Sequence, residues 1–225
     1  MNFYFFDLDG TLEDSRKDMV RAAQTIRDQL GLPERKHEHL VPFVNKGMRE
    51  LYINCFDDFV TATDGGISEE KVIKVQGLYE KNYFENIAVH TQLYPGIKEA
   101  LMFSKKHGRT AVITNKPEAL SRQLLDELGI SSLIDIVVGG DTCAAAKPSA
   151  IPLQHAFDVL GGTIARNEVF MVGDSQGDST AGSVFGAKTV WCAWGYQEQP
   201  PTSPAPQFIA KTPQDLMTIF ASRGA

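Results

Sequence analysis

The chain has 225 residues, 43% of them hydrophobic, which is ample for an α/β domain with an insertion and is the composition of a protein that buries a core rather than a disordered one. Its formal net charge of −6 argues against a broad nucleic-acid surface, while leaving room for a few cations and backbone amides to capture one small phosphorylated ligand. Cys55, Cys143 and Cys192 are an odd number at wide spacings, which fits neither a disulfide framework nor a zinc site. There is no basic leader or cleavage site before Asp7 and no apolar run of roughly 18 residues, so a cytoplasmic protein with reduced thiols and no membrane span is expected.

Residues 2–6 are aromatic-rich and end at an acidic, glycine-containing turn, the pattern of a buried strand feeding a loop. Met19, Ala23, Ile26 and Leu30 then recur at helical spacing, with Ser15 and Asp18 resembling a capping box, so a helix is predicted over 15–30. Helices are also predicted over 40–60 and 68–86, separated by the turn residues 63–66, and no convincing strand lies between Asp14 and Asn86. Beyond Tyr94-Pro95-Gly96 the pattern alternates strictly. Helix 97–106, strand 110–114, helix 118–128, strand 134–138, helix 151–160, strand 169–172, helix 179–185 and strand 188–191 are followed by a short strand near Phe208 and a helix over 213–220. Such alternation predicts an α/β fold with a doubly wound parallel sheet. Strand 1 belongs to that sheet, so the expected division is a core of 1–13 and 91–225 and an inserted domain of 14–90.

Open parallel sheets bind ligands beyond the carboxyl ends of their strands. Asp7, Asp9, Gly10 and Thr11 follow the first strand, Thr114, Asn115 and Lys116 the second, and Gly173, Asp174 and Ser175 the strand at Val169. Lys147 lies on the same edge, after the third strand. Each has a plain structural explanation as a turn former, helix cap or solvated lysine. Together they suit phosphoryl transfer, which needs a nucleophile, an acid for the leaving alkoxide and cations against the phosphate oxygens. Asp7 and Asp9, two residues apart with Leu8 turned away, can face one phosphate, one as nucleophile and the other as general acid and base. Asp7, Asp174 and the Asp9 backbone offer oxygens to Mg²⁺. Thr114, Asn115, Lys147 and amides around Gly10 can bind the non-reacting phosphate oxygens.

The stretch Phe6-Asp7-Leu8-Asp9-Gly10-Thr11-Leu12 resembles the first motif of the haloacid dehalogenase superfamily. Thr114-Asn115-Lys116, Lys147-Pro148 and Gly173-Asp174-Ser175 through Asp178 are similar to its second, third and fourth motifs. Within the superfamily, Tyr94-Pro95-Gly96 and the run from Val138-Gly139-Gly140-Asp141 to Lys147-Pro148 resemble phosphoglycolate phosphatases. The resemblance implies Asp7 as nucleophile, Asp9 as acid and base, Asp174 as metal ligand, Asp178 as a metal-site carboxylate, and the insertion as a small helical cap.

Phe43 to Arg49 resembles a cap segment that approaches the active site in those phosphatases, so Lys46 or Arg49 is a candidate for a substrate carboxylate, against the alternative of a solvated helix start. Hinges are expected near 13–15 and 89–94. Two departures from the pattern stand out: Glu13, where an apolar residue is usual, and the polar run Ser179-Thr180-Ala181-Gly182. The expected function is Mg²⁺-dependent hydrolysis of a small phosphate monoester, 2-phosphoglycolate being the leading substrate, by a monomer or homodimer whose partner is a small phosphorylated metabolite. Asp9 argues against a haloalkanoate dehalogenase or phosphonatase. A sugar-phosphate mutase is the alternative, and a non-catalytic phosphorylatable or binding module is disfavoured by the insertion and the complete set of reacting residues.

Overall fold

The structure is a computed structural model that describes residues 2–44, 47–163 and 169–222. In chain order the elements are β1 (Asn2–Phe6), β2 (Glu13–Asp14), α1 (Arg16–Gln29), α2 (His37–Val44), α3 (Met48–Cys55), α4 (Asp57–Val60), α5 (Glu69–Glu85), β3 (Gln92–Leu93) and α6 (Ile97–His107). They continue with β4 (Gly108–Ile113), α7 (Glu118–Glu127), a 3₁₀ turn (Ser131–Leu133), β5 (Ile136–Val138), α8 (Ile151–Val159), β6 (Val169–Gly173), α9 (Gln176–Phe185), β7 (Lys188–Cys192), β8 (Phe208–Ala210) and α10 (Pro213–Ala221). Two compact units result, one of residues 1–14 and 92–225, the other of 15–91.

The first unit is a six-stranded sheet of order β5-β4-β1-β6-β7-β8, parallel throughout, so the expected doubly wound α/β core is present. Winding starts at β1, runs outward through β4 and β5, then returns to β6 on the other side of β1. The switch point therefore lies where β1, β4 and β6 end. Alternation along β1 assigns its faces. Phe3 and Phe5 point into a cluster with Leu153, Phe157, Met171, Ala181 and Phe185, beneath α8 and α9. Tyr4 and Phe6 point the other way, where Phe220 of α10 lies with ring centroids 4.7 and 6.1 Å from theirs. Burying aromatic rings on both faces is what makes β1 read as a continuous apolar run.

Three boundaries differ from the sequence prediction. β5 begins at Ile136, because the preceding residues close the 3₁₀ turn and Asp135 accepts hydrogen bonds from the Thr110 N–H and Oγ1, at 2.9 and 3.2 Å. α9 begins at Gln176, because Ser175 and Asp178 form a full capping box. The two-residue strands β2 and β3 pair antiparallel, Glu13 opposite Leu93 and Asp14 opposite Gln92, and are too short to leave a periodic signal. The buried Glu13 occupies β2.

The second unit is helical. The single helix predicted over 40–60 is divided into α2, α3 and α4: Gly47, at φ +102°, stands outside helical geometry before α3, and Phe56, at φ −131°, breaks the chain while burying its ring. Ser15 makes no side-chain cap on α1. Asp18, its expected partner, accepts instead from the His90 and Thr91 N–H groups at 2.7 and 2.8 Å and from the Thr91 hydroxyl at 2.8 Å. The fully buried Arg27 donates to both Asp58 oxygens (2.9 and 2.5 Å), to the Cys55 carbonyl (2.7 Å) and to the Pro33 carbonyl (3.1 and 2.7 Å). No helix among the described residues is long and apolar enough to cross a membrane.

Candidate active site

Asp7 follows β1 directly, and its N–H still donates to the Val172 carbonyl at 2.8 Å, so the β1–β6 ladder fixes the backbone that carries this carboxylate. A tight turn follows. Thr11 and Leu12 N–H both point at the Leu8 carbonyl (3.2 and 2.9 Å), and Leu8 is buried, while Asp7, Asp9 and the buried Thr11, whose hydroxyl donates to Asp174 Oδ1 at 3.4 Å, are the polar side chains of the loop. Gly10, at φ +79°, lies against Asp174: a Cβ there would stand 2.5 Å from Asp174 Oδ2. Its N–H donates to the Glu13 carbonyl at 2.9 Å, so the amide assigned from sequence to a phosphate is engaged inside the turn.

Asp7, Asp174 and Asp178 offer oxygens that all lie within 4.8 Å of one another, and all three residues are buried. Lys147 enters this cluster from the loop before α8, its Nζ 2.7 Å from Asp7 Oδ1 and 2.6 Å from Asp178 Oδ1. Three carboxylates thus face one ammonium in a nearly water-free place. Burial and the neighbouring Asp178 push the Asp7 carboxyl well above the ordinary carboxylate range, against the opposing pull of Lys147. Burial and Asp178 likewise raise Asp174 to about 6, opposed by a hydrogen bond from the Tyr196 N–H. Burial alone would lower Lys147, but Asp178 and Asp7 outweigh it and hold the ammonium above its usual value. An excess of buried carboxylate over cation, built of oxygen donors only, fits a hard divalent ion such as Mg²⁺.

Asp9 stands outside this cluster. Its Oδ1 is 2.8 Å from Nζ of Lys116, a buried lysine that the sequence reading quoted within a motif and gave no role. Thr114 ends β4, its N–H on the Val138 carbonyl (3.0 Å), and its Oγ1 accepts from the Lys116 N–H at 3.1 Å. Asn115 differs from its expected use. Its amide brackets the Lys147 backbone, Nδ2 donating to the carbonyl and Oδ1 accepting from the N–H, both at 3.0 Å. It holds the loop that delivers Lys147. Asp178 has a second duty as the N-terminal cap of α9, its Oδ2 accepting from the Ser175 N–H at 3.0 Å and the Ser175 hydroxyl at 2.6 Å.

Arg49 forms a two-pronged ion pair with Glu69 on an exposed surface of the helical unit, and Lys46 lies outside the described residues. The strand-end rule placed Lys116 on this edge without a role, and sequence reasoning missed the end of β7 and the loop after it, where Trp191, Trp194 and Tyr196 bond to the acidic loops. The same rule would have found that loop, since it follows the carboxyl end of a sheet strand.

The chain is 34% identical over 221 residues to a phosphoglycolate phosphatase of Aquifex aeolicus, covering 98% of this chain and 97% of that one. It is 36% identical over 194 residues to a phosphoglycolate phosphatase of Chromobacterium violaceum, covering 86% and 85%. The crystal structure of a protein described as a predicted phosphoglycolate phosphatase, from Haemophilus somnus, superposes with a TM-score of 0.85 at 26% identity, covering 97% of each chain. Residues 4–192 match the family model described as haloacid dehalogenase-like hydrolase, from β1 through β7, and the chain belongs to that family.

Proposed function

We propose that this enzyme is a Mg²⁺-dependent phosphatase of small phosphate monoesters, with 2-phosphoglycolate as its substrate and an aspartyl-phosphate on Asp7 as its intermediate. The observation that carries the reading is the division of carboxylates. Asp7 sits beside Lys147 in the buried cluster with Asp174 and Asp178, while Asp9, two residues on, is held separately by Lys116. A metal held by Asp7, Asp174, the Asp9 backbone and Asp178 supplies charge neutralisation of the phosphate oxygens.

The chain's own groups account for the rest. An Asp7 oxygen attacks phosphorus, and the bond from phosphorus to the ester oxygen breaks. The departing alkoxide takes its proton from Asp9, which Lys116 holds in place. In the second half Asp9 accepts a proton from water, the water oxygen attacks the aspartyl-phosphate, and Asp7 is regenerated as inorganic phosphate leaves. Lys147, positioned by Asn115, stabilises charge on the transferring group together with the Thr114 hydroxyl. The names of the two bacterial relatives support 2-phosphoglycolate, and we assign the choice of substrate to the helical insertion. Three free thiols, two of them buried, suit a reducing compartment such as the cytoplasm.

The test is phosphate release from 2-phosphoglycolate and a panel of sugar phosphates, with Mg²⁺ and with EDTA, beside Asp7→Asn. Metal-dependent release dominated by 2-phosphoglycolate and absent in the variant is expected. Equal rates across the panel would remove the substrate assignment, and isomerisation of a sugar phosphate without phosphate release would replace hydrolysis by a mutase reaction.

A further inference from the structure

After β7 the chain doubles back along the acidic edge of the sheet. The turn is tied at both ends, the Gly195 N–H donating to the Cys192 carbonyl at 3.3 Å and the Ala193 N–H to the Ala210 carbonyl at 2.9 Å. From the end of β7 and this turn three hydrogen bonds reach the site loops. The buried indole of Trp191 donates from Nε1 to the Asp174 backbone carbonyl at 2.9 Å. The Tyr196 N–H donates to Asp174 Oδ2 at 2.6 Å. Trp194 donates from Nε1 to the Thr11 carbonyl at 3.1 Å, and its ring stands edge-on to Tyr94 with centroids 6.4 Å apart. Between them lies Gly195, where a Cβ would come within 2.1 Å of the Asp174 Cβ.

A carboxylate on a single side-chain stem rotates unless something holds it. Asp174 is gripped at two points by the end of β7 and the loop that follows it, its main chain by Trp191 and Oδ2 by Tyr196, with Gly195 allowing the loop to approach closely, while Oδ1 accepts from the Thr11 hydroxyl at 3.4 Å. Donors that fix the orientation of a metal-binding carboxylate matter to affinity nearly as much as the ligand itself. We propose that the segment 191–196, the end of β7 and the turn after it, positions the metal-binding carboxylate, with Trp191 and Gly195 as positioning residues that set divalent-ion affinity through Asp174. This rests on the reading that Asp174 holds the ion. The chain's two tryptophans, Trp191 and Trp194, both lie in this segment, so their emission is the natural probe of ion binding there.

The experiment uses the full chain, with Mg²⁺ alone as the probe, followed by calorimetric titration and tryptophan emission, for the wild type, Trp191→Phe, Gly195→Ala and Asp174→Asn. Phe keeps the apolar ring and removes the indole N–H. Trp191→Phe is expected to weaken Mg²⁺ binding about 10- to 100-fold, while kcat at saturating Mg²⁺ stays within about threefold of the wild type. A residue that merely supports the fold would instead lower the melting temperature in EDTA and leave affinity unchanged at temperatures where both proteins are folded. If Trp191→Phe does not fold, Gly195→Ala is read in its place, with a loss of affinity at least as large. Mg²⁺ binding by these variants within twofold of the wild type, with Asp174→Asn deficient, would overturn the positioning role alone. Absence of Mg²⁺ binding by the wild type, or undiminished binding by Asp174→Asn, would overturn the metal-site reading and this inference with it.

Discussion

Lys147 and Lys116 are both buried in the core unit, and each is committed to different carboxylates, Lys147 to Asp7 and Asp178 and Lys116 to Asp9. Replacing Lys147 by Met removes the ammonium between the Asp7 and Asp178 oxygens, and kcat at saturating Mg²⁺ should fall by about 10²- to 10³-fold, the scale of losing one preorganised electrostatic contact. Steady-state phosphate release checks this. Asp174 gives a pH prediction. Its carboxyl rises from an ordinary 3.8 to about 6 in the folded, metal-free protein, so between those values the fold binds protons that the unfolded chain has released. The stability this group contributes is complete below about pH 4 and is lost as pH rises through about 6. Asp7 is shifted in the same direction. In EDTA, the melting temperature of the wild type should therefore decline from pH 5 to pH 7.5 more steeply than that of Asp174→Asn. Mg²⁺, which requires ionised carboxylates, should raise the melting temperature at pH 7.5 and much less at pH 5.

At the scale of elements, Arg27 is the centre of the helical unit, joining α1 to the carbonyls of Pro33 and Cys55 and to Asp58 of α4. Arg27→Met would leave the buried Cys55 carbonyl without its donor and Asp58 without its cation, and a loss of about 2 kcal/mol is expected, discounted from a fully enclosed pair because Pro33 and Asp58 are exposed to water. Urea unfolding followed by far-ultraviolet circular dichroism measures it. The legible part of the fold follows a physical division. Strands such as β1 and β6 were readable because burial on both faces writes itself as a local apolar run, and Asp7, Thr114 and Asp174 were readable because they stand where those runs stop. Features made by partners distant in sequence were not. Asp18 closes no capping box with Ser15, because its carboxylate is taken by His90 and Thr91, 72 and 73 residues on. The pairing of Lys116 with Asp9 likewise joins residues from two strands whose adjacency only the sheet order reveals.

For the molecule as a whole, the important feature is that both ends of the helical unit emerge from one antiparallel pair, Asp14 opposite Gln92. Such a pair is what a two-residue hairpin turn closes. Replacing residues 15–91 by Asn-Gly should therefore leave a core that keeps its α/β circular dichroism and, because Asp7, Asp174 and Asp178 all lie in that unit, its Mg²⁺ binding, while discrimination among phosphate esters is lost. Calorimetry and the substrate panel together decide this, and failure of the shortened chain to bind Mg²⁺ would contradict it. The same pair bears on the order of folding. β1 must find β4 across the whole insertion, and loop closure costs about 0.6 kcal/mol for each doubling of the loop. If the helices assemble first, their ends are already gathered and the effective loop shrinks by about two doublings, which removes roughly 1 kcal/mol from the closure cost. The insertion then acts as a chaperone carried within the chain, bringing the first strand to the sheet it nucleates.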